Sequence, residues 1–105
     1  MNEDVCEAIE TQHVLAFEYG HEETDEGPGG CRVVEPHVYG ETADGEELLR
    51  GYQTGGYSAS REPVGWKLFD VAEIEDLVVT TESFDGPRPE YEPEDPAVED
   101  VYCRL

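Results

Sequence analysis

Val5, Ala8, Ile9 and Gln12 fall at the i, i+3, i+4, i+7 spacing of one helical face, and acids precede them. A short helix is therefore expected over residues 4–12. The period then changes to two. In residues 13–19 Leu15, Phe17 and Tyr19 share one side, as in a half-buried strand. Residues 20–30 are polar and end in Gly-Pro-Gly-Gly, which reads as a connector. A second strand is expected from about Cys31 to Val38, with Pro36 marking an edge or a bulge near its end. Asp44-Gly45 supplies a tight turn, so the second strand and a third over residues 47–53 form a hairpin. A small-residue loop over 54–60 leads to a fourth strand, residues 65–71. One helical turn at residues 72–74 follows, and then a fifth strand over 76–81 rich in β-branched residues.

After Ser83 the pattern breaks. Four prolines between Pro87 and Pro96 exclude regular structure over most of that stretch. Asp95-Pro96 has the form of a helix start, which predicts a short helix to about Tyr102 that docks Val98, Val101 and Tyr102. The reading is a mainly β chain with one or two short helices, folded as a small bent sheet or partly open barrel. Residues 1–83 make up that domain and 84–105 a Pro-rich extension.

Charge changes the picture most. Asp and Glu number 27 against 6 Lys and Arg, a formal net charge of -21, and the acids run along the whole chain. At about 1 M salt the screening length falls to roughly 3 Å and the self-repulsion of such a surface is silenced. Uniform acidity with a single lysine is what adaptation to molar salt would leave, so a halophilic cytoplasm is expected. The first residues lack the basic start and apolar run of a signal peptide, and nothing approaches a membrane span. Three widely spaced cysteines without a C-x-x-C pair argue against disulfides and structural zinc, and for free thiols in a reducing compartment.

Several pieces then fall in a familiar order: Ala8-Ile9, Tyr19, Arg32-Val33-Val34-Glu35-Pro36, Gly45, Leu48-Leu49-Arg50-Gly51-Tyr52 and Phe69-Asp70-Val71-Ala72-Glu73-Ile74. This succession, over about residues 5–80, resembles the WYL domain, a β-barrel of the SH3/Sm type. Gly65-Trp66-Lys67-Leu68-Phe69 and Pro87-Arg88-Pro89-x-Tyr91 look like a subgroup of short stand-alone members. The resemblance implies a sensor or regulatory module that binds a small ligand or single-stranded nucleic acid. The chain departs from the pattern in two places. The naming tripeptide falls on Glu47-Leu48-Leu49, and two basic positions in the stretch 69–74 have become acidic. No helix-turn-helix pattern precedes the first helix, so a self-sufficient transcription factor is not expected.

Candidate chemistry centres on the scarce cations. Arg32, Arg50 and Lys67 lie in three successive strands, and neighbouring strands sit about 4.8 Å apart. Pointing the same way, they would make one basic spot beside Tyr52, Gln53 and Trp66, able to hold a phosphate, carboxylate or base. The alternative is that each cation pairs with a nearby acid, and strand parity alone leaves both open. Nucleic acid is disfavoured, since backbone binding needs more cations than these. The histidines His13, His21 and His37 show no metalloprotease spacing. The carboxylate pairs Asp25-Glu26 and Asp44/Glu46 are expected in a chain this acidic, and no catalytic motif or cofactor-binding loop is present. Cys103 beside Arg104 could be an activated thiol, although a partly buried small side chain explains it as well. The expected function is a non-enzymatic binding or regulatory module for a small anionic ligand or a partner protein, without a cofactor or metal. A homo-oligomeric or docking protein with no ligand is the rival.

Overall fold

The computed structural model describes residues 2–19, 30–56 and 64–105. The connector 20–29, the loop 57–63, His21 and the pair Asp25-Glu26 lie outside the described residues. Helix α1, Glu3–Thr11, begins where Asn2 Oδ1 accepts the amides of Asp4 and Val5, and it ends at Gln12 in the left-handed region. Its Val5, Ala8 and Ile9 are buried, the stripe expected from their spacing.

Six antiparallel strands form one bent sheet: β1 His13–Tyr19, β2 Gly30–Glu41, β3 Glu47–Gly56, β4 Gly65–Asp70, β5 Ile74–Ser83 and β6 Asp100–Arg104. The order is β4-β3-β2-β1-β5, and β6 joins the later half of β2. A 3-10 turn over Val71–Glu73 links β4 to β5. The β2–β3 hairpin closes as the Asp-Gly signal requires, with Gly45 at φ 83° and Thr42 Oγ1 accepting the amides of Asp44 and Glu46. Pro36 is tolerated in a central strand because the ladder is irregular between Pro36 and Val38. The core is Val5, Ala8, Ile9, Leu15, Phe17, Val34, Tyr39, Leu49 and Phe69. Within it Phe69 meets Phe17 and Tyr19 edge-on, with ring centres 5.2 and 4.9 Å apart.

Three expectations are corrected. Strand β3 runs on to Gly56 where a loop from Thr54 is expected. No helix follows Asp95. Its carboxylate accepts Ala97 N–H at 2.9 Å, so the capping signal is real, but only one turn forms before the chain becomes β6. A seven-residue helix is marginal alone, whereas pairing β6 to residues 38–41 satisfies backbone groups that β2 would leave bare. Finally, Cys6 and Cys103 form a disulfide that ties α1 to β6 across 97 residues of sequence, and Cys31 is the free, exposed thiol. Sequence spacing hides this pair because only the return of β6 beside β2 brings the two ends together. The cysteines therefore no longer argue for a reducing compartment, and Cys103 is no free thiol. No described helix is long and apolar enough to cross a membrane.

Candidate functional site

Register decides which side chains share a face, because partners across an antiparallel ladder project to the same side. Phe17 faces Arg32, Leu15 faces Val34, and Val34 faces Gln53. Leu49 faces Phe69 and Gly51 faces Lys67. Arg32, Gln53 and Lys67 therefore belong to the core side. Glu35 faces Tyr52, Tyr52 faces Trp66, and Arg50 faces Leu68, all on the opposite side. The six candidate residues are divided three and three by the thickness of the sheet. The expected single basic spot of Arg32, Arg50 and Lys67 does not exist in this geometry.

On the core side Arg32 is buried, donates to Gln53 Oε1 at 3.3 Å and stacks 5.4 Å above the Tyr19 ring. On the other side the chain itself covers the sheet. Residues 84–99 cross it as an irregular strap between β5 and β6. Arg50 forks onto Asp95, with Nε donating at 2.7 Å and Nη2 at 3.3 Å. Burial alone would raise the Asp95 pKa, but the Arg50 hydrogen bond and charge, with the Ala97 amide, hold it below the ordinary carboxylate value. Arg88 forks onto Glu35 at 2.7 and 2.9 Å, and its guanidinium lies 4.6 Å from the Tyr52 ring centre. Trp66 Nε1 donates to the Pro89 carbonyl at 3.0 Å.

His37 joins these contacts from below. It is fully buried, with ring centres 4.6 Å from Trp66, 5.4 Å from Tyr91 and 5.9 Å from Phe84. The Arg88 amide, always a donor, donates to Nε2 at 3.1 Å, so the ring proton sits on Nδ1 and is given to the Glu35 carbonyl at 2.8 Å. This is a neutral imidazole used as a backbone clamp.

Arg50, Tyr52 and Trp66 thus do meet, together with Glu35, His37, Arg88, Pro89 and Asp95, which the sequence reading left out. The sequence marks some of them for other reasons, Asp95 as a helix start and Arg88 as an arginine set between two prolines at 87–89, but none as part of a site. An open cavity of about 270 Å³ borders Arg50 and Trp66, walled by Glu90, Glu92, Asp95 and Pro96. Among the described residues no three His, Cys, Asp or Glu side chains converge as metal ligands would.

No protein-family model matches the chain, and no curated protein matches it. Among solved structures, proteasome accessory factor B/C (PafBC) of Arthrobacter aurescens superposes with a TM-score of 0.65 over 86% of this chain, at 24% identity. The chain spans 13% of the length of that protein. At this identity the likeness establishes a shared fold.

Proposed function

We propose that this protein is a non-enzymatic, WYL-like binding module of the regulatory kind that docks a partner protein on the Tyr52–Trp66 face of its sheet. One observation carries the reading: that face already holds a peptide segment. It does so through the side chain and backbone of Arg88 and the carbonyl of Pro89. The fold is shared with a segment of the protein named proteasome accessory factor B/C. A small anion is the weaker candidate ligand, because Arg50 and Arg88 already grip internal carboxylates and the body around them carries -21.

Trp66 is the only tryptophan of the chain, so its emission reports what happens on this face. Peptides selected on the protein from a displayed library, in about 1 M KCl, are expected to change Trp66 emission. They should bind at least tenfold more weakly to Tyr52→Ala. In parallel, nucleotides, metabolites and oligonucleotides are expected to leave the unfolding midpoint in place. A true ligand at about 100 times its Kd would add about 2.7 kcal/mol of stability. Such a shift from a small anion, with the peptides silent, would replace this reading with that of an anion sensor.

A further inference from the structure

We propose that the Glu35–Tyr52–Trp66 face is a receptor for an arginine followed by proline in a segment of a partner protein. Arg88-Pro89 would be its occupant in cis. This rests on the docking role proposed above and names the chemistry of the partner. Four features of one dipeptide are read at once. The Glu35 carboxylate, only 9% exposed, takes both prongs of the guanidinium, and Tyr52 offers its ring face to the same group. His37 Nε2 accepts the amide of the arginine itself, and Trp66 takes the carbonyl of the next residue. Proline suits that next position because it has no amide to leave unpaired. It also fixes the backbone for the turn in which Tyr91 N–H reaches the Arg88 carbonyl at 3.2 Å. A lone stabilising ion pair would need none of the backbone contacts.

The occupant is clipped in place rather than packed in. Arg88 keeps 41% of its side chain exposed. Open cavities flank the strap on both sides. One, of about 390 Å³, is bordered by Glu35, Phe84, Pro87 and Arg88, and the other is the 270 Å³ cavity beside Trp66. Besides these contacts, and Arg50 on Asp95, the strap is tethered at both ends. Phe84 N–H donates to the Gln12 carbonyl at 3.0 Å before it, and the Cys6–Cys103 disulfide fixes β6 beyond it. A segment tethered in this way competes at an effective concentration of order mM or above, which suppresses weak ligands in trans. Charge favours a basic partner over a second copy, since two bodies of -21 repel.

The test uses the free hexapeptide Gly-Pro-Arg-Pro-Glu-Tyr, the chain's own residues 86–91, and the same peptide with alanine for arginine. Fluorescence anisotropy measures binding in about 1 M KCl. The arginine peptide is expected to bind Arg88→Ala at least tenfold more tightly than it binds the wild type. Adding Glu35→Gln should remove that gain, and the alanine peptide should show no gain at all. Should Arg88→Ala lose its native circular dichroism, Arg88→Lys serves instead, because it keeps stem and charge but loses the two-pronged fork. Opening the tether with Cys6→Ser/Cys103→Ser should also raise binding of the arginine peptide. Equal binding of the two peptides, or of wild type and Arg88→Ala, would overturn the proposal. So would a peptide-insensitive dimer formed by exchange of the strap between copies. If library-selected peptides bind the face without an Arg-Pro pair and the hexapeptide is silent, docking stands and this specificity fails. If neither binds, both fail.

Discussion

His37 is the residue on which the covered face turns. Burial holds its pKa below the usual 6.5. The nearby Arg88 charge pushes the same way, and the Glu35 carbonyl and carboxylate oppose both. Protonation would place a second donor at Nε2, against the Arg88 amide. Because the folded state disfavours the charged ring, its contribution is complete above the unfolded pKa of about 6.5 and drains away as pH falls below it toward the depressed folded value. His37→Gln is therefore expected to cost about 1–3 kcal/mol near neutral pH, where two buried hydrogen bonds are lost. The gap between wild type and variant should narrow at about pH 5. Urea unfolding of both proteins at the two pH values measures it, and a gap that stays constant would show that the ring does not titrate as argued. In the sequence His37 is marked only by its place beside Pro36, because its partners, Trp66, Phe84 and Tyr91, come from distant parts of the chain.

At the scale of elements, β6 is the piece whose docking makes the most exacting demand. Gly40 lies where β2 and β6 run together, and a Cβ there would stand 2.1 Å from the Asp100 carbonyl and 2.5 Å from a Val98 methyl. Gly40→Ala must push β6 or the strap outward. It is expected to cost about 1–3 kcal/mol, the range for overpacking a tight site, while α1 and the β2–β3 hairpin persist. Amide hydrogen exchange would locate the damage: protection should fall over 98–104 first, and a uniform loss would contradict the close-approach argument. The helix and five strands were legible because each carries its own period and its own turn residues, as at Val5, Ala8 and Ile9 or at Asp44-Gly45. Strand β6 was not, because Val101-Tyr102-Cys103 has no alternation and an N-cap signal stands just upstream. What makes it a strand is the open edge of β2.

For the whole molecule, self-repulsion is the dominant long-range force. Its local trace is Tyr102, exposed enough to titrate yet pushed up to about 12 by its hydrogen bond to Glu41, with Glu47 and Asp100 adding to the field. Screening this repulsion should stabilise the fold. The unfolding midpoint is expected to rise steadily from about 0.1 M to about 2 M KCl, the range over which the screening length shrinks from about 10 Å to below 3 Å. A midpoint that stays level or falls would remove the case for salt adaptation. The ion pairs Arg50–Asp95 and Arg88–Glu35 set a limit on the effect, since they are partly shielded and weaken less in salt than exposed charges do.

The β-rich class, the first helix, the hairpin, an edge or bulge at Pro36 and the acidity follow from the residues alone, because each of these is written locally along the chain. The tertiary structure alone decided which cation meets which acid. Arg50 finds Asp95 45 residues away, Arg88 finds Glu35 across 53, and Cys6 finds Cys103 across 97. Alternation within one strand already parts Tyr52 from Gln53 and Trp66 from Lys67, but only the fold joined Arg32 to Gln53 and Lys67 on one side and Arg50 to Tyr52 and Trp66 on the other. The reason is that side chains alternate with a period of two, so the side a residue takes depends on the register of its strand against its neighbours. Here the β2–β3 register itself shifts twice, between Val33 and Val34 and between Pro36 and Val38, and only packing fixes where those shifts fall.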